Sequence, residues 1–305
     1  MLSKKYLAYL FLAAAFEPSA SLRADDFRVE DPATKAVAEP KVTVRYNIPY
    51  SDVVESSLKA DIYQPDSDGS DPNALYPGIV MIHGGAWIAG DKSYDAVHAR
   101  KFAAQGYVVM VINYRLAPTH KHPAQIDDCF EAIRWLVSNS ETYGVDSERI
   151  GVWGYSAGGH LAALVATNPR SGIPRVKACV AGGAPCDLRL IPDDSALLTG
   201  FLGGTRQQIP EIYEAASPVH HVSEDDPPML LFHGEADRLV PITFSLGMRK
   251  RLEDNRVDCE FLPLAKKSHI MAFVDRRAIE QSIVFFDRHL KNVPIKNDSD
   301  GEPSK

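Results

Sequence analysis

Cysteine is scarce in this chain, with only Cys129, Cys179, Cys186 and Cys259 in 305 residues. Their spacing fits neither a dense disulfide framework nor a thiolate metal site. Buried free thiols are the expectation, because a fold of this size does not need covalent staples. Basic residues are in deficit too: the formal net charge is −7, and a nucleic-acid partner would require a basic stripe. The histidine pairs His120/His122 and His220/His221 lack companion ligands at metal spacing, so no metal is expected. A long apolar run is also missing. The run from Leu7 to Phe16 falls short of the ~20 residues that span a bilayer, so no stable membrane span is expected. Finally, no internal linker divides the chain, and 45% hydrophobic with 24% charged residues is ordinary material for one large core.

What is present begins with an export signature. Lys4 and Lys5 precede the apolar run, and small residues follow at Ser19, Ala20 and Ser21. Residues 1–24 therefore read as a secretory signal peptide, with cleavage at Ala20, Ser21 or Ala24. The expected location is secreted or periplasmic. No cysteine precedes Cys129, which leaves no amino-terminal cysteine for lipid attachment. Residues 25–39 read as a weakly ordered lead-in, 40–293 as the folded domain, and 294–305 as a disordered tail.

Within the domain, 41–50 and 57–63 read as leading antiparallel strands, joined to the rest by a turn-rich link at 66–73. Strands and helices then alternate. Strands are expected at 79–82, 107–111, 150–154, 176–181, 229–232 and 258–262, and helices at 94–104, 124–138, 157–166, 243–253 and 275–290. Such alternation predicts an α/β fold, a mostly parallel sheet with helices on both faces. No strand pattern appears at about 187–223, which reads as a small helical cap beside the site.

The most informative segment is Gly154-Tyr155-Ser156-Ala157-Gly158. A serine between small residues, at a turn from strand to helix, has its hydroxyl pushed out past the end of the sheet. Such a serine needs a base, a carboxylate to orient that base, and donors for the oxyanion that forms. Asp237 stands just beyond the strand at 229–232, where open α/β sheets gather their chemistry. Glu235 competes for the same part and reads better as a solvated loop carboxylate. His233 reads as a packed, hydrogen-bonded ring. After Asp237 only His269 and His289 remain. His289 falls in a helical terminal segment, so His269, after a strand and a short basic loop, is assigned as base. Upstream, the strand at 78–82 empties into His83-Gly84-Gly85-Ala86-Trp87. The backbone N–H groups of Gly84, Gly85 and Ala157 are the expected oxyanion donors. His83 is expected to brace that loop, and Trp87 and Tyr155 to line the substrate pocket.

These segments together resemble the α/β-hydrolases of the esterase and lipase type, in particular the bifunctional acetylxylan and feruloyl esterases. The resemblance extends through Gly90-Asp91-Lys92, Asn113-Tyr114-Arg115-Leu116-Ala117-Pro118, Pro123-Ala124-Gln125-Ile126-Asp127-Asp128, Gly159-His160, Ala216-Ser217-Pro218 and Pro227-Pro228. It departs from that group at Ser268 and Ile270, which flank the base where glycines are usual, and at Ala86, where a third glycine is common. The resemblance implies a serine carboxylic-ester hydrolase without a cofactor, acting on small or polysaccharide-linked esters such as acetyl or feruloyl groups on plant polymers. An amide or peptide hydrolase of the same fold, formamidase-like or prolyl-oligopeptidase-like, and a non-catalytic binding protein are the alternatives.

Overall fold

The computed structural model describes residues 41–51, 58–66 and 74–291. The expected signal segment, the lead-in, most of the 66–73 link and the tail lie outside the described residues. Among those described, no helix is long and apolar enough to cross a membrane.

Val42–Pro49 (β1) and Lys59–Pro65 (β2) form the antiparallel start. Tyr76–Ile82 (β3), Val108–Ile112 (β4), Val145–Tyr155 (β5), Ala178–Gly182 (β6), Met229–Gly234 (β7) and Cys259–Leu264 (β8) follow. The spatial order is β1-β2-β4-β3-β5-β6-β7-β8. From β4 to β8 every pairing is parallel, while β2 meets β4 antiparallel. β3, β4, β6, β7 and the 150–155 part of β5 read as near-continuous apolar runs because helices cover both of their faces. Ala96–Ala104 (α1), Ala124–Ser138 (α2), Ala157–Thr167 (α3), Thr243–Asp254 (α6 in chain order), His269–Phe273 (α7) and Arg276–Leu290 (α8) supply that cover. Between α3 and α6 lie the cap helices Ala196–Leu202 (α4) and Pro210–Ala215 (α5).

β5 is longer than the sequence pattern predicts, because Val145 and Asp146 pair with Tyr76 and Pro77 of β3 before an irregular register shift. The polar run Asp146-Ser147-Glu148-Arg149 hides that start from a periodicity argument. The 94–104 helix is likewise split: Lys92–Asp95 is a tight 3-10 turn capped by Asp91, and α1 begins at Ala96. The 187–223 segment contains no strand, and α4 and α5 sit there between the short 3-10 turns Leu188–Leu190 and Pro218–His220.

α3 is buried at every position, as its mostly apolar and glycine composition dictates, His160 and Thr167 being its polar exceptions. It lies so close to β3 that a Cβ on Gly158 would stand 1.9 Å from the Ile82 carbonyl oxygen. Only glycine permits this approach, and it fixes where the N-terminus of α3 meets the end of β5. All four cysteines are free: Cys129, Cys179 and Cys186 are buried, and Cys259 is half-buried.

Candidate active site

Because β3 and β5 to β8 run in parallel, their C-terminal ends share one edge of the sheet. β5 ends at Tyr155, and Ser156 turns the chain into α3 with φ 58° and ψ −121°. A non-glycine residue at positive φ costs on the order of 1–3 kcal/mol and persists only where the surroundings impose it. Here Ser156 N–H donates to the Gly182 carbonyl (2.8 Å), and its own carbonyl accepts from His160 N–H (2.9 Å).

The hydroxyl of Ser156 is 2.9 Å from His269 Nε2, and His269 Nδ1 is 2.5 Å from Asp237 Oδ2. The carboxylate can only accept, so Nδ1 carries the proton and Nε2 is left free to accept from the serine. Asp237 is held in turn. Its Oδ1 accepts the N–H groups of Leu239 and Val240, each at 2.9 Å, and His233 Nε2 lies 3.3 Å from Oδ2. Burial alone would raise the Asp237 pKa, but the hydrogen bonds from His233 and His269 and the Val240 N–H outweigh it. The carboxyl is held well below the usual carboxylate range. The loops bearing acid and base are joined by Glu235 N–H to the Leu264 carbonyl and Ala236 N–H to the Lys267 carbonyl, both 3.0 Å.

His269 opens α7, a short helix that the sequence pattern does not reveal, and the Ser268 hydroxyl accepts from Met271 N–H at its start. Glu235 is exposed and Asp237 is buried, so the two acids separate by environment. His233 is fully buried, accepting from the Ser245 hydroxyl and donating to the Val240 carbonyl. His289 is half-buried near Asp258 on α8, remote from this cluster.

On the other side of Ser156 runs the turn after β3. Gly85 takes φ 122°, and a Cβ there would stand 2.0 Å from the Ala89 carbonyl oxygen. Ala86 and Trp87 also have positive φ, 54° and 63°. The chain thus makes without a third glycine the bend for which glycine is the easy choice. A Cβ on Gly84 would meet Tyr155 O at 3.0 Å and Ser156 Cβ at 3.4 Å, so Gly84 lies directly beside the serine. Ala157 is the first residue of α3; its N–H has no partner within the helix and sits at the positive end of the helix dipole. His83 braces the turn: its Nδ1–H donates to the Gly84 carbonyl (2.6 Å), and its ring stacks on Tyr114. Burial pushes the His83 pKa down, so the ring is neutral.

Two expected pocket residues stand elsewhere. Tyr155 is buried beneath the base, packed on Phe232 and Phe273, and its hydroxyl donates to the His269 carbonyl at 2.6 Å. Trp87 is 2% exposed and stacked flat on Phe201 of the cap, and its indole N–H donates to His160 Nδ1. Tyr155 is a prop for the base loop and Trp87 an anchor for the turn; neither lines an open pocket. A surface cleft lined by Arg45, Gln64, Asp66 and Tyr143 lies near the start of β5. It is about 30 Å of strand away from Ser156.

Against this geometry stand four likenesses. The BD-FAE family model matches residues 60–252, more than half of the chain. Esterase LipC of Mycobacterium tuberculosis is 33% identical over 224 residues, 67% of this chain and 55% of LipC; the chain thus spans about half the length of that curated relative. Among solved structures, a truncated carbohydrate esterase from gut microbiota is similar with a TM-score of 0.74 and 26% identity, covering 84% of this chain and 99% of that one. Thermogutta terrifontis esterase 2, phosphonylated by sarin, has a TM-score of 0.70 and 27% identity, covering 82% and 95%.

Proposed function

The chain belongs to the BD-FAE family and has an α/β-hydrolase fold, and from that premise we propose that it is an exported serine carboxylic-ester hydrolase acting through an acyl-enzyme. The observation that carries the reading is the hydrogen-bonded chain Ser156–His269–Asp237 at the shared edge of β5, β7 and β8. The esterases among the relatives and structural neighbours support the reaction class.

In the proposed reaction, the Ser156 proton passes to His269 Nε2 as Oγ bonds to the ester carbonyl carbon. The carbonyl oxygen becomes an oxyanion, and the backbone N–H groups of Gly84 or Gly85 and of Ala157 receive it. Collapse breaks the bond to the alcohol oxygen, which takes the proton from His269. Water then attacks the acyl-serine by the same path, releasing the acid and restoring the hydroxyl. Asp237 holds His269 in the tautomer this requires and stabilises the imidazolium.

The substrates we propose are short-chain esters, including acetyl or feruloyl groups on plant polysaccharide; the carbohydrate esterase among the neighbours supports the sugar-linked class. Export rests on the signal-like residues 1–24 and is checked by amino-terminal sequencing of protein recovered outside the cytoplasm. For the chemistry, the test compares acetylated xylan, methyl ferulate, an aryl-ester series and a matching anilide, each with wild type and Ser156→Ala. Aryl esters from acetyl to butyryl should be best, with kcat/KM declining beyond roughly eight carbons as burial runs out. Ser156→Ala should lose about 10⁶-fold in turnover. A pure, folded Ser156→Ala retaining a tenth of wild-type activity would sink the serine mechanism. Faster anilide than ester cleavage would move the reading to an amidase.

A further inference from the structure

His160 lies four residues beyond Ser156, has no exposed surface, and has no part in the proton path. Both of its ring nitrogens are nevertheless engaged. The Trp87 indole N–H donates to Nδ1 at 3.2 Å; an indole nitrogen is only a donor, so Nδ1 carries no proton. Nε2 is 2.7 Å from the Ala216 carbonyl oxygen, which only accepts, so Nε2 carries it. The two partners fix one tautomer between them. Burial pushes the His160 pKa down to about 3, against a smaller upward pull from the Ala216 carbonyl. The ring therefore stays neutral, with one donor and one acceptor.

Those partners belong to different parts of the molecule. Trp87 ends the run of positive-φ residues that follows Gly84, while Ala216 follows α5 directly in the cap segment. The same indole lies flat on Phe201 of α4, with centroids 4.4 Å apart and planes 5° apart. His160 meets Trp87 and Phe201 edge-on, at 5.1 and 6.2 Å. Ala86 and Trp87 hold strained torsions without the freedom of glycine, so the 84–87 turn depends on outside contacts to keep its shape.

We propose that His160 is a positioning residue: its imidazole joins the cap to the 84–87 turn and so sets the direction of the backbone N–H groups beside Ser156. The proposal rests on reading that turn as the oxyanion-binding element. The cap is then part of the frame that aims the donors, and not a lid free to swing.

The test uses the full-length enzyme and a short-chain aryl ester, with Trp87→Phe, His160→Leu, His160→Asn and the Trp87→Phe/His160→Leu double variant. Trp87→Phe keeps a ring on Phe201 and removes only the N–H. His160→Asn keeps an acceptor near the Nδ1 position. A misaimed donor should cost kcat, by about 10-fold in Trp87→Phe and about 10²-fold in His160→Leu, with KM within about threefold. The double variant should lose no more than His160→Leu alone, because both changes break one link. His160→Asn should recover part of the loss. Affinity for a trifluoromethyl ketone, whose serine adduct bears an oxyanion, should fall by the same factor as kcat/KM.

Thermal unfolding establishes that each variant is folded. If His160→Leu does not fold, Trp87→Phe and His160→Asn decide the matter. Unchanged kcat in folded variants, losses confined to KM, additive losses, or undiminished ketone affinity would overturn the proposal. Failure of the esterase reading would appear separately, as a wild type without ester turnover, and would overturn this proposal with it.

Discussion

On one side of Ser156 stands His269 with Asp237 and His233 behind it, each link a hydrogen bond or close polar contact between side chains. On the other stands the 84–87 turn, whose shape comes from backbone torsion, the His83 brace and the Trp87–Phe201 stack. In the proposed reaction the first side moves a proton, so it needs ionisable groups whose partners set their protonation. The second only has to point amide groups at a developing charge, so it needs shape. Substitutions on the first side should therefore fail by chemistry with the fold intact, and those on the second by geometry.

The sharpest test on the base side is Asp237→Asn. Because Oδ1 accepts two backbone N–H groups, the asparagine oxygen should stay there and turn its NH₂ toward His269. That forces the tautomer with its proton on Nε2, which cannot accept from serine. Turnover should fall about 10⁴-fold with little change in thermal stability. A loss under tenfold would show that Asp237 does not set the tautomer. On the donor side, Gly85→Ala should cost about 10²–10³-fold in kcat, because the new Cβ meets the Ala89 carbonyl at 2.0 Å. Wild-type kcat in that variant would mean the turn has slack, and the contrast between the two sides would collapse.

A smaller effect is expected in stability against pH. His160 falls to about 3 in the folded chain, from ~6.5 in an unfolded one. Between these values the unfolded chain binds the extra proton. The contribution is therefore full above about 6.5 and is lost as the pH falls toward about 3, reaching roughly 2 kcal/mol by pH 5. Urea unfolding at pH 7 and 5 should show this slope in wild type and a shallower one in His160→Asn. Equal slopes would contradict a buried neutral ring. The smallest effect is Glu235→Gln, which should leave kcat/KM within about twofold, as for an exposed carboxylate outside the proton path. A loss rivalling that of Asp237→Asn would reassign the acid.

The two sides also differ in how legible they were. Ser156, Asp237 and His269 stand out in the sequence because each follows an apolar run that becomes a strand, and chain order then selects among acids and histidines. The structure brings these three together. Gly84 and Gly85 are legible for a similar reason. Tyr155 and Trp87 were misplaced because an aromatic residue beside a nucleophile reads as a wall, while its orientation depends on torsions that no local pattern encodes. His160 carries a signal in hindsight: a histidine on an otherwise apolar, glycine-rich helix needs two polar partners. The sequence does not say that one of them is an indole 73 positions away. The start of β5 and the α7 helix escaped for another reason, since pairing with β3 and a serine cap outweighed weak local propensity.

The order in which the sheet takes up its parts has a consequence for biosynthesis. The serine sits at the end of the central β5, whereas the acid and base follow β7 and β8 at the far edge. During translation Ser156 therefore leaves the ribosome more than a hundred residues before His269, and no shorter nascent chain holds the complete set. The hydrogen-bonded set Ser156–His269–Asp237 is therefore completed only by the last strand of the sheet and the short helix that follows it, so a chain that stops before β8 lacks the imidazole that joins the serine to the carboxylate.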